Sequence, residues 1–225
     1  MMRISAIIPC YNEEASIAAV IRAIPPAVTE IIVVDNNSAD RSAEIAARLG
    51  ARVLSERRQG YGWALRAGFD SASGDIIATL DGDGQYPAEC IPDIASRLDR
   101  DGLDFISASR FPLQNPASLA RVRVIGNRLF TAATNLLFGL ALTDSQSGMW
   151  VFRRRVLERI RLESGDMPLS QEIKIRMATN PALRFAEHHI PYRARTGDSK
   201  LVPWKHGIIN LVALLKLRLT LRRRP

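Results

Sequence analysis

The sequence predicts an α/β protein whose central sheet is mostly parallel and is flanked by helices. Short apolar runs rich in Ile and Val alternate with amphipathic helical patterns through the first half of the chain. The run at residues 30–34 is continuous and β-branched, which is typical of a strand buried on both faces. Close alternation of strands and helices indicates βαβ units, and 225 residues suffice for one sizeable domain with a short appendage.

The first half divides into five strands with helices between them. Pro25 and Pro26 end the first helix, and Gly50 ends the second. Gly74 closes the turn before the fourth strand. The predicted strands are residues 4–8, 30–34, 51–54, 76–80 and 104–108, and the predicted helices are residues 16–23, 42–49, 63–71 and 91–99.

The second half is less regular and richer in arginine. Helical patterns are predicted at residues 119–138, 170–179 and 204–222, short strands at residues 149–152 and 183–192, and a basic turn at residues 193–200. The net charge of +8 indicates an anionic partner, such as nucleic acid, a nucleotide or an anionic lipid surface. Because the arginines concentrate from Arg121 onward, we expect that partner to meet the second half.

The composition narrows the class of protein. A content of 47% hydrophobic and 24% charged residues is that of an ordinary globular protein. The two cysteines lack metal-ligand spacing, which favours a reducing compartment. We expect no signal peptide at the first residues and no membrane-spanning segment, since no uncharged apolar stretch is long enough to span a bilayer.

The C-terminal segment, residues 203–225, combines apolar residues with flanking Lys and Arg. With Trp204 at one end and an arginine cluster at the other, it suits a helix lying in a membrane interface. The alternative is a helix that packs on the domain or on a second copy of the chain.

Two carboxylates, Asp81 and Asp83, follow the fourth strand directly. In open α/β sheets, ligands bind at the carboxyl ends of the strands. Two carboxylates close together suit Mg²⁺ or Mn²⁺, which take their remaining ligands from water and substrate phosphates. The alternative is an Asp/Gly-rich turn with no ligand.

Two further strands end in polar residues, at positions 11–13 and 35–38, and with residues 81–85 they form one predicted crevice. Carboxylates and amides there suit a base and a ribose. The segment Gly60-Tyr61-Gly62 does not match a phosphate-cradling glycine loop. A metal ion is therefore expected to neutralise any bound diphosphate.

Seven motifs along the chain resemble those of the family 2 inverting glycosyltransferases with a GT-A fold. The resemblance is greatest to dolichyl- or polyprenyl-phosphate sugar synthases of the dolichol-phosphate mannose synthase type. The motifs are residues 8–14, 33–38, 60–68, 81–87, 109–110, 144–148 and 192–200. Two positions depart from the family pattern. Asn36 stands where an acid is common, which is expected to loosen one nucleotide contact, and Tyr86 replaces a common His with little expected effect.

The resemblance implies metal-dependent transfer of a hexose, from GDP-mannose or a UDP-hexose, to a polyprenyl or dolichyl phosphate with inversion. One alternative is transfer to a saccharide hydroxyl in cell-envelope polysaccharide synthesis. Another is a non-catalytic basic protein that binds a membrane or nucleic acid. We expect no nucleic-acid partner, because the arginines are not interleaved with exposed aromatic residues.

The resemblance also implies a role for each matched residue. The expected nucleotide-binding residues are Pro9, Tyr11, Glu13, Asp35, Ser38 and Asp81, and the expected metal ligands are Asp81, Asp83 and Gln85. The expected catalytic residues are Asp83, Arg110 and Arg195, and those at the acceptor phosphate are Ser147, Arg195 and Lys200. Glu172 stands roughly where relatives carry a catalytic carboxylate, although an acid in the first turn of a helix is also favoured by the helix dipole alone.

The resulting organisation is one GT-A domain at residues 1–202 followed by an amphipathic membrane-surface helix at residues 203–225. Residues 1–110 form the nucleotide-binding half and residues 111–202 the acceptor-binding half. Related synthases often continue into transmembrane helices. This chain is expected instead to attach peripherally to the cytoplasmic face of the membrane. It would do so by itself, as a homo-oligomer or through a membrane-protein partner.

Overall fold

The computed structural model describes residues 2–196 and 203–222, and within them one sheet of seven strands. Its spatial order is β3-β2-β1-β4-β6-β5-β7. The strands are β1 Ile4–Cys10, β2 Glu30–Asp35, β3 Arg52–Ser55, β4 Ile76–Thr79, β5 Phe105–Ser109, β6 Trp150–Arg153 and β7 Phe185–His189. All seven lie where the sequence predicts a strand, with bounds that differ by a few residues.

The helices also follow the sequence pattern. They are α1 Ile17–Ala23, α2 Ser42–Arg48, α3 Tyr61–Ser71, α4 Ile91–Arg100, α5 Arg121–Phe138, α6 Leu169–Ala178 and α7 Pro203–Arg222. Short 3₁₀ turns occur at residues 88–90, 116–118 and 154–159. Among the described residues, no helix is both long enough and apolar enough to cross a bilayer.

The sheet is parallel except at β6, which runs antiparallel between β4 and β5. Trp150, the first residue of β6, pairs with Thr79 near the end of β4 and with Ser107 in β5. An antiparallel strand begins at the edge where its neighbours end. The loop before β6 therefore reaches the carboxyl edge of the sheet, beside the residues that follow β4 and β5.

Two apolar layers enclose the sheet. Ile8 and Val33 face a layer with α1, α2 and α4, whereas Ile7 and Ile32 face a layer with α3 and α6. This alternation explains the continuous apolar strands, since each face needs its own buried side chains. At Gly68 a Cβ would lie 2.4 Å from the Ile7 side chain, so the close packing of α3 on β1 requires glycine.

Helices α5 and α7 pack together at the outer side of α6. Leu214 and Leu217 of α7 are buried against Ile175 of α6. The opposite sides of the two helices expose large apolar side chains. These are Val122, Ile125, Leu129 and Leu136 on α5, and Ile208, Leu211, Val212, Leu215 and Leu219 on α7.

Candidate active site

The carboxyl ends of β1, β2 and β4 meet at one crevice, as the sequence predicts. The N–H of Asn12 donates to the Ser38 hydroxyl (3.0 Å), which joins the loops after β1 and β2. The Ser16 hydroxyl donates to the Gly82 carbonyl (2.7 Å), which joins the first loop to the one after β4. The residues predicted to bind the nucleotide lie on or beside these loops: Pro9, Tyr11, Glu13, Asp35, Ser38 and Asp81.

Asp81 and Asp83 lie together at the floor of this crevice. Loss of surrounding water and the negative charge of Asp83 raise the pKa of Asp81 to about 7. The Tyr61 hydroxyl donates to Asp81 Oδ1 (2.9 Å), and Asp83 is only 3% exposed. One carboxylate thus disfavours ionisation of the other, a situation that a bound cation relieves.

Gln85, the third predicted metal ligand, is fixed by its amide nitrogen. Nε2 donates to the carbonyls of Ser118 and Arg193 (both 3.1 Å), and the backbone N–H of Gln85 donates to Asp83 Oδ1 (3.0 Å). Among the described residues, no group of three or more His, Cys, Asp or Glu could hold a metal ion. Two carboxylates and an amide oxygen nevertheless fit Mg²⁺ or Mn²⁺, which need few protein ligands when a diphosphate completes the shell.

Arg195 connects the second half of the chain to the acidic pair. Its Nη1 contacts Asp83 Oδ2 (2.7 Å) and its Nη2 contacts Glu13 Oε1 (2.7 Å). The backbone N–H groups of Arg193 and Thr196 donate to the carbonyls of Gln85 (3.0 Å) and Asp83 (3.2 Å), so residues 193–196 lie against the Asp81–Gln85 motif. The structure thus unites Arg195 with Asp83, whereas Lys200 lies outside the described residues.

Arg110 forms a buried ion pair in the wall of the crevice. Its Nε and Nη2 donate to the two carboxylate oxygens of Asp144 at 2.7 and 2.9 Å, and its backbone N–H donates to Asp144 as well. Burial alone would raise the pKa of Asp144, but the charge and hydrogen bonds of Arg110 outweigh it, so the pKa is lowered. Arg110 is 6% exposed, and the forked face of its guanidinium is turned to Asp144.

The side chains of Lys174 and Tyr86 hold the loop from Asp144 to Gly148 in place. Lys174 Nζ donates to the carbonyls of Asp144 (3.3 Å) and Ser147 (2.7 Å), and the Tyr86 hydroxyl accepts from the N–H of Gly148 (2.6 Å). Ser147 is fully buried, with Oγ 3.5 Å from the Tyr86 hydroxyl. Tyr86 therefore ties the Asp81–Gln85 motif to this loop through its hydroxyl.

Lys174 is a site residue that sequence reasoning missed. It is fully buried, and burial lowers its pKa to about 7. The available signal was a lysine between Ile173 and Ile175 in a helix that is buried on all sides from Leu169 to Met177.

Asn36 stands where the family often has an acid. Its side-chain amide forms hydrogen bonds with the backbone that precedes α3. Its Nδ2 donates to the carbonyls of Glu56 (2.7 Å) and Arg58 (2.9 Å), and its Oδ1 accepts from the N–H of Gly60 (2.8 Å). This network fixes the start of α3, and with it Tyr61, whose hydroxyl reaches Asp81. The amide of Asn36 thus has its own role in shaping the site.

Glu172 has structural partners for both oxygens. It accepts from the N–H groups of Glu163 (2.9 Å) and Ser164 (2.8 Å) and from Arg176 Nε (2.7 Å). Among the described residues, no hydrogen bond or ion pair joins Glu172 to the Asp81–Gln85 motif. The structure therefore brings Arg195 to the acidic pair but leaves Glu172 holding the loop before α6.

The mostly parallel seven-strand sheet with helices on both faces is a GT-A fold, as the sequence predicts. Solved structures agree with this assignment. Glucosyl-3-phosphoglycerate synthase from Mycobacterium tuberculosis, crystallised with Mn²⁺, UDP and phosphoglyceric acid, superposes with a TM-score of 0.78 at 23% identity. The match covers 96% of this chain and 78% of that one.

Residues 5–161 match the model of glycosyl transferase family 2. The chain belongs to this family and is an enzyme that transfers sugar, as the sequence motifs predict.

Characterised and uncharacterised relatives match over nearly the whole chain. A dolichyl-phosphate hexose transferase of Haloferax volcanii is 34% identical, over 98% of this chain and 96% of that protein. An uncharacterised glycosyltransferase of Mycobacterium tuberculosis is 44% identical, over 88% of this chain and 89% of its own length. An undecaprenyl-phosphate 4-deoxy-4-formamido-L-arabinose transferase of Salmonella paratyphi B is 29% identical, over 96% of this chain and 69% of that protein.

Proposed function

We propose that the protein transfers a hexose from a nucleoside diphosphate sugar to the phosphate of a polyprenol, with inversion and with a divalent ion. The observation that carries this proposal is the contact of Arg195 with both Asp83 and Glu13. It joins a basic segment of the second half to the acidic floor of the crevice, so that charges suited to a metal ion and to phosphates meet at one place. The names of the relatives in Haloferax volcanii and Salmonella support a lipid-phosphate acceptor.

The donor nucleotide is assigned to the rim formed by the loops after β1 and β2. Tyr11 is 41% exposed and offers a ring to a base. Asp35 and Ser38 are linked, since the Ser38 N–H lies 3.3 Å from Asp35 Oδ1. Pro9 and Glu13 complete the rim, and GDP-mannose and UDP-hexoses are the candidate donors.

A divalent ion, Mg²⁺ or Mn²⁺, is assigned to Asp81, Asp83 and Gln85. When bound, such an ion acts as a Lewis acid that stabilises the charge gained by the leaving diphosphate. Because Gln85 Nε2 is committed to two carbonyls, its Oε1 is the atom left for the ion. Arg195, anchored beside Asp83, places a fixed positive charge where phosphate charge develops.

The acceptor side is assigned to the basic segment that includes Arg195 and Lys200. A phosphate monoester is already ionised near neutral pH, so it needs placement rather than a general base. The engagement of Glu172 with three donors is consistent with such an acceptor. Arg110 and Ser147, both buried, contribute by shaping the loop behind the acceptor rather than by touching it.

Attachment to the cytoplasmic face of a membrane is assigned to α5 and α7. The exposed apolar stripe of α7 is bordered by Lys216 and Arg218, whose charges suit anionic lipid headgroups. Helix α5 adds a second exposed stripe, so the apolar surface is wider than the C-terminal segment alone. A lipid acceptor would enter the crevice from this surface.

The test is transfer from a radiolabelled nucleotide sugar, with Mn²⁺, to a short polyprenyl phosphate and to the corresponding free alcohol. We expect product from the phosphate and none from the alcohol. Transfer to a saccharide hydroxyl, with the polyprenyl phosphate inert, would overturn the proposal and favour polysaccharide synthesis.

A further inference from the structure

A second cavity, of about 430 Å³, lies among α5, α6, α7 and the chain after β6. Four arginines line it, and we call it the arginine pocket: Arg159, Arg161, Arg176 and Arg218. Among the described residues that line it, none is acidic. A wall of this composition selects for an anion.

The pocket lies at the opposite edge of the sheet from the active site. Strand β6 begins at the carboxyl edge and runs antiparallel, so Arg153 at its end pairs with Ile76 at the start of β4. The lining residues Arg159 and Arg161 follow that end of β6, and Asn180 precedes β7. The pocket is therefore distinct from the crevice that contains Asp83 and Arg195.

The arginines outnumber their acidic neighbours. Arg176 is 6% exposed and pairs with Glu172 (2.7 Å) and with Glu163 (3.7 Å). Arg161 contacts the same Glu163 at 4.0 Å, and because both side chains are largely exposed that ion pair is weak.

The other two arginines contact uncharged groups. Arg159 Nη1 donates to the Ala182 carbonyl (3.4 Å), and the Arg218 guanidinium lies 5.8 Å from the centre of the Phe138 ring. Four guanidinium groups thus face two carboxylates, which leaves net positive charge in the pocket.

The donor chemistry of the pocket suits a phosphate group. A guanidinium offers paired N–H donors that match two phosphate oxygens. Asn180 Oδ1 already accepts from the N–H of Ala182 (3.0 Å), so the amide group that remains for a ligand is its NH₂ donor. The four guanidinium groups and the Asn180 NH₂ are therefore donors toward a ligand, whereas the Thr179 hydroxyl, which also lines the pocket, already donates to the Ile175 carbonyl (2.7 Å).

The pocket also borders the apolar surface of α5 and α7. Arg218 flanks the exposed stripe that includes Leu215 and Leu219, and Leu136 is exposed two residues before Phe138 of the pocket wall. A ligand that joins an anion to an apolar phase at such a border is a membrane lipid. We propose that the arginine pocket binds the phosphate group of an anionic membrane lipid, separately from the acceptor phosphate.

This inference rests on the membrane-facing role proposed for α5 and α7. It gives the enzyme a second contact with the membrane, in addition to the exposed apolar surface of those helices. Asn210 of α7 lies within 3.5 Å of Gln146 in the loop at the active site. Arg218 is eight residues further along the helix, or about 12 Å at 1.5 Å per residue. Helix α7 would then be attached to the active-site loop at Asn210 and to a lipid phosphate at Arg218. These two attachments would fix the orientation of the crevice relative to the membrane.

The test is co-sedimentation with vesicles of phosphatidylcholine alone and of phosphatidylcholine with one part in five phosphatidylglycerol, without nucleotide sugar. The variant is Arg159→Glu/Arg161→Glu/Arg218→Glu, which leaves the buried Arg176 in place. The first control, Arg159→Lys/Arg161→Lys/Arg218→Lys, keeps the charge. The second control reverses Arg48, an exposed arginine of α2 at the other end of the sheet, to Glu.

We expect the triple Glu variant to lose at least about tenfold in affinity for the anionic vesicles, since each basic residue near such a surface contributes roughly fivefold. Its binding to neutral vesicles, its thermal unfolding and its transfer to a detergent-solubilised short acceptor should stay as in wild type. Arg48→Glu should change the affinity less than twofold, and the triple Lys variant should retain most of it.

The triple Glu variant changes the net charge by −6 and Arg48→Glu by −2, so net charge alone would give a fold-loss equal to the cube of that of Arg48→Glu. A loss in the triple Glu variant no larger than that would overturn the inference. Unchanged binding of the triple Glu variant would overturn it too. In a further outcome, inorganic phosphate would raise the unfolding temperature of the wild type but not of this variant, while both bind vesicles equally. That outcome would assign the pocket to a soluble phosphate and overturn the proposal of a lipid ligand. None of these outcomes bears on sugar transfer, which is measured separately.

Discussion

Two desolvated aspartates of the crevice, Asp81 and Asp144, differ in the sign of their pKa shift. Asp144 has Arg110 against both oxygens, and its pKa is lowered. Asp81 has Asp83 beside it and a tyrosine as hydrogen-bond donor, and burial with that neighbouring charge raises its pKa to about 7. The comparison teaches that Asp144 has an arginine against both of its oxygens, whereas Arg195 at the acidic pair contacts Asp83 and Glu13. A bound cation would therefore offset the charge that Arg195 leaves at Asp81.

The largest expected effect is that of Asp83→Asn, which removes one of the two charges on the floor. We expect transfer to fall on the order of 1,000-fold, because metal stabilisation of the leaving diphosphate is worth several kcal/mol. Mn²⁺ binding measured by calorimetry should be lost as well. The matched control is Asp70→Asn, at an exposed aspartate of α3, which should leave both measurements as in wild type.

Asp144→Ala tests the other member of the comparison. It leaves Arg110 buried without its partner, so we expect a loss of about 3–5 kcal/mol in the free energy of unfolding. Urea denaturation measures it, and Arg110→Met/Asp144→Leu should recover much of the loss. If the single variant were as stable as wild type, the ion pair would not be what holds this wall.

The pH dependence of stability separates the two acidic environments further. Between about pH 4 and pH 7, folded Asp81 holds a proton that the unfolded chain has released, so its contribution makes the free energy of unfolding fall as pH rises. Lys174 has the opposite sign. Between about pH 7 and pH 10.5 the unfolded chain holds a proton that folded Lys174 has released, so stability rises with pH.

Urea denaturation as a function of pH checks both signs. Asp81→Asn should remove the slope below pH 7, and Lys174→Met should remove the slope above it. Saturating Mn²⁺ should abolish the slope between about pH 4 and pH 7, since metal-bound Asp81 is ionised in the folded protein as it is in the unfolded chain. Slopes that persist in both variants would show that other groups govern the titration.

The smallest expected effect is that of Tyr61→Phe. The Tyr61 hydroxyl donates to Asp81 and favours its ionised form. Removing a hydrogen bond worth about 0.5–1.5 kcal/mol should weaken Mn²⁺ binding about three- to tenfold at pH 7. At pH 9, where Asp81 is ionised in both proteins, the difference in affinity should narrow. A difference that stays constant with pH would point to altered packing instead.

Much of the fold could be predicted because its signals are local. Continuous apolar strands, amphipathic helices and glycine or proline stops placed the seven strands and the long helices within a few residues. The meeting of residues 11–13, 35–38 and 81–85 also followed from parallel strands alone, since their carboxyl ends share an edge. The motifs were specific enough to identify the glycosyltransferase family.

The charge partners at the site could not be predicted in the same way, because they join residues far apart in the sequence. Arg195 reaches Asp83 across 112 positions, and Lys174 reaches Ser147 across 27. The sequence around Glu172 does not show that its carboxylate oxygens accept hydrogen bonds from two backbone N–H groups and from Arg176. Their roles follow from distances alone.

The sequence by itself determined the class of fold, the crevice and the acidic pair, because short-range periodicity and strand ends encode them. The tertiary structure alone decided that β6 runs antiparallel and brings residues 144–148 to that crevice. It also decided which buried charges are paired and gathered four arginines into one pocket. The physical reason is that the interaction between two charges depends on the distance between them and on their desolvation. The order of residues in the sequence gives neither quantity.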